Sequence, residues 1–483
     1  MKLPHDPADR PAGRPADRPE GGSDGRSDGR PDARLDREIA RLAVPAFLAL
    51  VAEPLFLLGD AAVVGHLGTR ELAGLGLAGT VLSTVVGLCV FLAYGTTAGV
   101  ARQIGAGHRR AALTQGVDGL WLAVVIGLPV TLATSLLAHP LVTLFGASAD
   151  VEDAATTYLR VAAAGITPLL LVLATTGVLR GLQDTRTPLV VAVVGNLANL
   201  GLNVLLVYGA GPVPRLELAG SAVGSVLAQA GMAAALVVVV VRAARREGAT
   251  LRPHPAGIRA AGRAGVPLLV RTLTLRASLL VTTWAVVLAA GEAAGHVGPP
   301  GSDAVPIATH QLALTIWGFL AYVLDAIAIA AQAITGRHLG AGDTDAARAV
   351  TRRMVQWGVR SGVVTGLLLA SASPWLGAVF TPDHAVRDAL VPVLLVAAAV
   401  QPVAGVVFVL DGVLIGAGDG RYLAFAGLAV LGGYAPLVLL TSALGAGLTG
   451  VWVVFGLLFM GGRLLTLVHR SRGEAWLVTG AAA

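Results

Sequence analysis

Charged residues are scarce in this sequence of 483 residues. Asp, Glu, Lys and Arg make up 13% of the chain, against roughly 25% in soluble proteins, while 55% of the residues are hydrophobic and the mean hydropathy is +0.74. This balance excludes the ordinary soluble classes and predicts a membrane protein. The net charge of +6 does not indicate nucleic-acid binding, because the arginines stand in short loops and form no continuous basic face.

Cysteine and lysine are almost absent. The one cysteine, Cys89, excludes a disulfide within the chain and a cysteine metal site. The one lysine, Lys2, excludes a phosphate-binding loop, which needs a lysine directly after its glycines. The metalloprotease pattern HExxH is missing as well. We therefore expect no enzyme, no cofactor and no metal site, so an ion gradient or a partner would have to drive any uphill movement.

The first 37 residues differ in composition from the rest. They repeat Pro, Gly, Asp and Arg, as in PADRPAGRPADRPEGGSDGRSDGRPDARLD. The segment lacks the apolar stretch of a signal peptide, and it has too few apolar residues to form a core. Residues 1–37 are therefore predicted to be a disordered cytoplasmic tail.

Twelve apolar runs follow this tail. About 20 apolar residues cross the roughly 30 Å of a hydrocarbon core, and only helices satisfy their own backbone groups over such a length in lipid. The predicted spans are residues 42–65, 72–97, 117–138, 156–178, 188–208, 218–241, 266–289, 306–333, 355–379, 389–415, 423–443 and 448–468.

Alternate loops between the spans differ in positive charge. One side, here called the arginine-rich face, carries Arg102, Arg109, Arg110, Arg180, Arg186, Arg242, Arg245, Arg246, Arg252, Arg259, Arg263, Arg337, Arg348, Arg352, Arg353, Arg421, Arg470 and Arg472. The opposite face carries Arg70, Arg160, Arg215 and Arg387. Because arginine-rich loops stay in the cytoplasm, we predict a multi-pass plasma-membrane protein with both termini cytoplasmic.

The second half of the chain repeats the first at an offset of 235 residues. RQIGAG at 102–107 matches RHLGAG at 337–342, and VLRGLQDTR at 178–186 matches VLIGAGDGR at 413–421. Parallel repeats of six helices are a transporter architecture, with the substrate site between the halves. The predicted units are an N-lobe (38–241), a cytoplasmic linker (242–264), a C-lobe (265–470) and a cytoplasmic C-terminal tail (471–483).

Several segments resemble the multidrug and toxic compound extrusion (MATE) family, in its DinF-like branch. They are LAVPAFLALVAEPLFLLGDAAVVGHLG, ARQIGAG, RGLQDTRTPL, NLANLGLNVLLVYG and FVLDGVLIGAGD. The resemblance covers residues 38 to 470. It implies the all-α, two-lobe fold of the MOP superfamily, and an antiporter that exports organic, often cationic, compounds in exchange for protons or sodium. We expect it to function as a monomer.

Asp60 is a carboxylate inside the first apolar run. The fifth run carries Asn196, Asn199 and Asn203 on one helix face, and Asn199 and Asn203 fall at about the depth of Asp60. We predict that these residues, with Ser221 of the sixth run, form a cation-coupling cluster in the N-lobe. The alternative is that Asp60 only fixes helix packing and that the amides only hold helices together.

Proton coupling fits the chemistry of this predicted cluster. A low dielectric disfavours the charged form of a carboxyl group, so Asp60 is expected to take up and release a proton. Pro45 and Pro54 each remove a backbone hydrogen bond and allow a bend, which the family links to protonation of the matching aspartate. Many members of the branch carry Asp where this chain has Asn203, so the site has one carboxylate fewer, which favours H⁺ over Na⁺.

A second group of charges lies in the C-lobe. Arg276, Asp325 and Asp411 stand in the seventh, eighth and tenth runs, and charges inside a membrane need partners. We predict that Arg276 pairs with Asp325 or Asp411, whereas Arg271 reaches the cytoplasmic edge. The group is either a second coupling site or inner gate, or a structural ion pair.

Substrate-contacting residues are not apparent, because the chain is apolar nearly everywhere. Glu53, directly before Pro54, is predicted to face the cavity and to attract cations. Two alternative functions stay open, a dedicated exporter of an endogenous metabolite and a lipid-linked oligosaccharide flippase of the same superfamily. A flippase would have a more basic central cavity, and few arginines lie near the middle of the spans here.

Overall fold

The computed structural model describes residues 29–209, 212–293 and 304–481, and nearly all of them are helical. The helices are α1 (Gly29–Gly65), α2 (Thr69–Leu88), α3 (Phe91–Gly105), α4 (Arg109–Leu136), α5 (Ala138–Thr143), α6 (Ala149–Ala162), α7 (Ile166–Gly181), α8 (Arg186–Tyr208), α9 (Glu217–Arg246), α10 (Pro255–Ala293), α11 (Ala304–Gly340), α12 (Thr344–Phe380), α13 (His384–Gly416), α14 (Gly420–Ala443), α15 (Gly447–Val454) and α16 (Gly461–Arg472).

All twelve predicted spans are confirmed as helices that are long and apolar enough to cross a membrane. Three of them are composite. The second span joins α2 and α3, the fourth joins α6 and α7 through a 3₁₀ turn, and the twelfth joins α15 and α16 through a π-helical turn. Several helices extend beyond the apolar run at the arginine-rich face, so that α12 begins at Thr344 rather than at residue 355.

The internal repeat is visible in the backbone. Gly107 has a φ of +79° and Gly342, 235 residues later, has a φ of +80°. Gln183 and Gly418 share the same offset and have φ values of +63° and +76°. Each pair follows the end of a helix, where a left-handed residue commonly stops the helix. The two halves therefore turn in the same way at matching places, as a parallel repeat requires.

The predicted disordered tail falls partly outside the described residues, which begin at residue 29. For residues 29–37 the prediction was wrong, because they form the first turns of α1. Asp36 accepts hydrogen bonds from Arg353 Nε at 2.7 Å and from Trp357 Nε1 at 2.7 Å, both on α12. These partners stand more than 300 residues away in the chain, and the local composition gives no sign of them.

The predicted linker and C-terminal tail are mostly ordered. Within 242–264, only residues 247–254 lie between α9 and α10. After α16 the chain folds back with Trp476 buried, and the N–H of Gly480 donates to the carbonyl of Leu339 at 3.0 Å. The C-terminal segment, residues 473–481, thus packs against the end of α11.

The two lobes touch through the glycines of the repeated motif. A side chain at Gly105 would collide with the carbonyl oxygen of Arg337, and a side chain at Gly340 would collide with the carbonyl oxygen of Arg102. The ends of α3 and α11 therefore cross with backbone against backbone, which only residues without a side chain allow. We call this contact the motif crossing; it lies at the arginine-rich face.

The arginines of the same motif each bind the other lobe. Arg102 of α3 donates to the carbonyl of Ala417 at 2.9 Å. Arg337 of α11 donates to Oε1 of Gln183 at 2.6 Å and pairs with Glu38 of α1 at 2.7 Å. Ala417 and Gln183 follow the ends of α13 and α7, which are equivalent helices of the repeat. The motif crossing is thus held by nearly symmetric hydrogen bonds.

Candidate functional site

Asp60 lies near the end of α1 and is 5% exposed. Its Oδ1 accepts a hydrogen bond of 2.5 Å from Nδ2 of Asn203 on α8 and one of 2.7 Å from Oγ of Ser221 on α9. Three separate spans therefore converge on one carboxyl oxygen. The structure brings together the acid, the amide and the hydroxyl that the sequence analysis grouped.

The hydrogen bonds continue away from Asp60 along α8 and α9. Asn203 Nδ2 also donates to Oδ1 of Asn199 at 2.9 Å, and Asn199 Nδ2 donates to Oγ of Ser225 at 3.2 Å. The buried hydroxyl of Tyr158 lies beside Asp60 and Ser225. Tyr158 and Ser225 were not among the predicted residues. We call this group the Asp60 cluster: Asp60, Tyr158, Asn199, Asn203, Ser221 and Ser225.

Two glycines of α9 make room for the Asp60 cluster. A side chain at Gly220 would collide with the carbonyl oxygen of Leu206, and one at Gly224 would collide with Oδ1 of Asn203. Small residues let helices in a membrane approach closely enough for side-chain hydrogen bonds. Asn203 Oδ1 itself is buried without a hydrogen-bond partner among the described residues. The close approach of α8 and α9 thus turns the amide donor toward Asp60.

The charge of Asp60 has no counter-ion nearby. Its hydrogen-bond donors are the Asn203 amide and the Ser221 hydroxyl, with the Tyr158 hydroxyl close by, and among residues 29–209, 212–293 and 304–481 no basic nitrogen lies within 4 Å of it. Both bonds end on Oδ1, so a proton on Oδ2 would leave them intact, since a carboxylic acid keeps its acceptor capacity. The site can therefore hold the acid and the carboxylate with the same two partners.

Asn196 does not reach Asp60. Its Nδ2 donates to the carbonyl of Ala52 on α1 at 3.0 Å, two residues before Pro54. Tyr208, at the far end of α8, donates to the carbonyl of Val63 at 2.8 Å. Hydrogen bonds from α8 thus hold α1 on both sides of Asp60.

The helix-1 bend stays a prediction. α1 runs as one helix from Gly29 to Gly65 with Pro45 and Pro54 inside it. The two prolines leave backbone carbonyls without their usual helical donors. The side chain of Glu53, which was predicted to face the cavity, lies outside what the structure describes.

Asp411 of α13 has charged partners. Arg271 Nε donates to its Oδ1 at 3.0 Å, and a second nitrogen of Arg271 contacts Oδ2. Arg463 Nη2, from α16, donates to Oδ2 at 3.3 Å. The three side chains are about nine-tenths buried. Asp411 is thus held by a bidentate pair with one arginine and a single bond from another.

The predicted partner of Asp411 was wrong. Arg276 is exposed, its guanidinium group lies against Gly87 of α2, and it forms no ion pair with the described residues. Arg271, which was expected at the cytoplasmic edge, binds Asp411 instead. Five residues separate the two arginines, which places them about 140° apart around the helix. Only the one that faces α13 can pair with it.

Asp325 of α11 forms no ion pair within 4 Å among the described residues, contrary to the prediction that it might pair with Arg276. It lies within electrostatic range of Arg180, Arg271 and Arg463. Arg271 also stacks on the ring of Tyr94 in α3, with its carbon 5.7 Å from the ring centre. The charged group of the C-lobe therefore contacts the N-lobe through the ring of Tyr94.

Sequence reasoning missed Arg463, although a signal for it was present. The residue is a lone charge in the apolar segment FMGGRLLTL, and such a charge needs a partner.

No three His, Cys, Asp or Glu side chains cluster as metal ligands in the described part of the chain.

Comparison with known proteins gives consistent matches. The MatE family profile matches residues 45–205 and 293–439, one segment in each lobe. Protein DETOXIFICATION 44, chloroplastic, of Arabidopsis thaliana is 30% identical, over 91% of this chain and 83% of its own length. DNA damage-inducible protein F of Escherichia coli is 28% identical, over 78% of this chain and 79% of its own.

Solved structures share the fold. The Vibrio cholerae MATE transporter VcmN in its bent form matches with a TM-score of 0.79 and 19% identity, over 92% of this chain and 98% of that one. A MOP superfamily transporter from Pyrococcus furiosus matches with a TM-score of 0.78 and 20% identity, over 92% and 96%. With a profile match in each lobe and a relative at 30% identity, this multi-pass membrane protein belongs to the MATE family, whose members are transporters rather than enzymes.

Proposed function

We propose that this protein is a proton-coupled efflux antiporter that exports organic, often cationic, compounds by alternating access between its lobes. The multidrug and toxin efflux role of its family supports the export function. We place the protein in the plasma membrane with the arginine-rich face and both termini in the cytoplasm. It would work as a monomer.

The observation that carries the proposal is the set of partners around Asp60. A coupling carboxyl group has to exist in two protonation states during each cycle. The two bonds on Oδ1 suit both states, and no arginine fixes the negative charge. Buried ionisable residues in spans commonly mark ion pathways.

Protons fit the Asp60 cluster better than sodium ions. Sodium binding would be favoured by several negatively charged oxygens, whereas the cluster contains one carboxylate with amides and hydroxyls around it. Asn203 Nδ2 is a donor that points at Asp60, and a donor there would repel a metal ion.

Alternating access requires the lobes to close on one face at a time. The motif crossing joins them at the arginine-rich face, where Gly105 meets Arg337 and Gly340 meets Arg102. The hydrogen bond from Arg102 to Ala417 and that from Arg337 to Gln183 add to this contact. These contacts would have to separate before the space between the two lobes opens to the cytoplasm.

The test is efflux of ethidium from proteoliposomes under a pH gradient alone and under a sodium gradient alone. We compare wild type, Asp60→Asn and Asp153→Asn, the last being a matched control because Asp153 is an exposed acid of the same lobe. We expect the pH gradient to drive efflux in wild type and in the control, and Asp60→Asn to lose it.

Two results would overturn the proposal. Asp60→Asn that transports like wild type would remove Asp60 from coupling, and efflux driven by sodium alone would identify the wrong ion. A C-terminal fusion reporter that reads out on the external side would overturn the orientation separately.

A further inference from the structure

The chain after α16 departs from the internal repeat. At the 235-residue offset, residues 473–481 correspond to residues 238–246, which form the last turns of α9. In the C-lobe the helix ends at Arg472 instead, and Gly473 takes up an extended conformation. The chain then folds back toward the motif crossing. We call residues 473–481 the C-terminal strap.

The C-terminal strap is anchored in the C-lobe at two points. Trp476 is 1% exposed, and its Nε1 donates to the carbonyl of Ser471 in α16 at 3.1 Å. The N–H of Gly480 donates to the carbonyl of Leu339, near the end of α11, at 3.0 Å. Because α11 and α16 both belong to the C-lobe, the strap moves with that lobe.

Arg102 of the N-lobe binds the strap from the other side. Its Nη2 donates to the carbonyl of Val478 at 2.6 Å, and its Nε donates to the carbonyl of Gly480 at 3.2 Å. Its Nη1 donates to the carbonyl of Ala417, which follows α13. Arg102 is 2% exposed, and a buried guanidinium group requires acceptors for its N–H groups. The strap supplies two of these acceptors.

The equivalent arginine of the C-lobe, Arg337, is satisfied in a different way. Its guanidinium group binds two side chains, Oε1 of Gln183 and the carboxylate of Glu38. Glu38 lies in α1 and Gln183 directly follows α7, so both partners belong to the helical bundle of the N-lobe. The two sides of the motif crossing are therefore unequal. On the Arg102 side, part of the contact is a segment that can detach without unfolding a span.

We propose that the C-terminal strap holds the two lobes together at the arginine-rich face, and that its release from Arg102 favours their separation there. Separation draws α3 away from α11, so Arg102 has to leave a strap that stays with the C-lobe. The strap thus stabilises the closed arrangement alone, which shifts the equilibrium toward it. Its effect on export rests on the proposed function, whereas the closure depends neither on the compound exported nor on the coupling ion.

Pulsed electron paramagnetic resonance on the purified protein measures the separation of the lobes. The Cys89→Ala background removes the one native cysteine. Nitroxide labels are attached at Arg110→Cys and Asp345→Cys, two exposed positions at the arginine-rich face that are related by the repeat, one in each lobe. A second label pair, Arg110→Cys with Arg246→Cys at the end of α9, reports changes that do not involve the C-lobe.

Truncation of the strap gives the main result. A chain that ends at Leu477 keeps the buried Trp476 but lacks both strap carbonyls that Arg102 binds. We expect the ratio of separated to closed lobes to rise about tenfold or more, as the loss of hydrogen bonds to a charged group would cause. Gly480→Pro, which loses the N–H bound to α11 and cannot adopt the φ of +102°, should raise the ratio by less. Thr479→Ala is the matched control and should leave the ratio unchanged, because only an exposed side chain is shortened.

Arg102→Met tests whether the strap acts through this arginine. In that background, truncation at Leu477 should change the ratio by less than about twofold, because the hydrogen bonds that it removes are already absent. An equal effect with and without Arg102 would overturn the proposal. An unchanged distance between the lobes in the truncated chain would overturn it as well, and so would an equal change in the second label pair. If Arg102→Met does not fold, Gly480→Pro compared with Thr479→Ala decides.

Failure of the strap and failure of the proposed function give different results. Lobes that separate on truncation, in a protein without gradient-driven efflux of ethidium, would retain the strap and remove the antiport function. Gradient-driven efflux, with a distance between the lobes that truncation does not change, would retain the function and remove the strap.

Discussion

Asp60 and Asp411 are the same residue type at similar burial, 5% and 6% exposed, yet their surroundings differ completely. Asp60 in the N-lobe receives bonds from an amide and a hydroxyl. Asp411 in the C-lobe receives bonds from two arginines. Burial of a carboxyl group therefore says little about its role until its partners are known.

The partners determine what a proton would cost at each site. At Asp60 the two neutral donors remain bonded in either protonation state. At Asp411 a proton would remove the negative charge between two buried guanidinium groups and leave both uncompensated. We therefore interpret Asp60 as the group that exchanges a proton, and Asp411 as a structural centre that joins α10, α13 and α16.

The largest effect is expected for Asp411→Ala. Removing one partner of a buried ion pair costs about 3–5 kcal/mol, because the remaining charge has no counter-ion. The free energy of unfolding in detergent, from denaturant titration, should fall by that amount. Asp60→Ala, which strands no charge, should cost less.

Replacing all three charges refines this expectation. Asp411→Leu with Arg271→Met and Arg463→Met removes the charges together, which is often neutral when the volume is kept. We expect the triple variant to regain most of the lost stability. If Asp411→Ala unfolds like wild type, the C-lobe centre is not structural and the contrast with Asp60 fails.

The next effect is expected for Asn203→Leu. The change removes the amide that donates to both Asp60 and Asn199. Of the two donors to the Asp60 carboxylate, only the Ser221 hydroxyl is then left. Loss of a hydrogen bond to a charged group costs about 1.5–3 kcal/mol, so efflux under a pH gradient should fall about tenfold or more. Asn196→Leu is the matched control, since Asn196 lies on the same helix but bonds Ala52. Equal loss in both variants would show a packing effect instead.

Much of this arrangement follows from the sequence because its signals are local. Apolar runs give the spans, the 235-residue offset gives the repeat, and the spacing of Asn199 and Asn203 gives one helix face. Because Asp60 lies at about the same depth in the membrane as these two amides, the sequence also predicts that they meet, together with Ser221.

The rest depends on how helices rotate against each other. Arg271 and Arg276 are both isolated charges in the apolar sequence of α10, and nothing in the neighbouring residues shows which one faces Asp411. Tyr158 could not be selected, because α6 is positioned by contacts with distant spans. The helical start of α1 was missed for the same reason, since its partner Arg353 lies in the other lobe.

A smaller effect is expected for Asn203→Asp, which sharpens the difference in charge between the two sites. The change replaces the amide donor with a second carboxylate beside Asp60, so the site gains an oxygen ligand of the kind that sodium prefers. We expect sodium-driven efflux and binding of ²²Na⁺ to become measurable, with proton-driven efflux reduced. Asn196→Asp, away from Asp60, should gain neither; a gain there too would show that added charge alone is sufficient.

The smallest effect is expected for Arg276→Gln, and it tests the pairing in the C-lobe directly. Arg276 is exposed and has no ion-pair partner among the described residues, so the change should alter the free energy of unfolding by no more than about 0.5 kcal/mol. Arg271→Gln, five residues away on the same helix, removes the bidentate partner of Asp411 and should cost several times more. Denaturant titration of the two variants side by side decides between the arginines. Equal losses would mean that Arg276 contributes to the C-lobe centre as much as Arg271 does, and the pairing of Arg271 alone with Asp411 would be wrong.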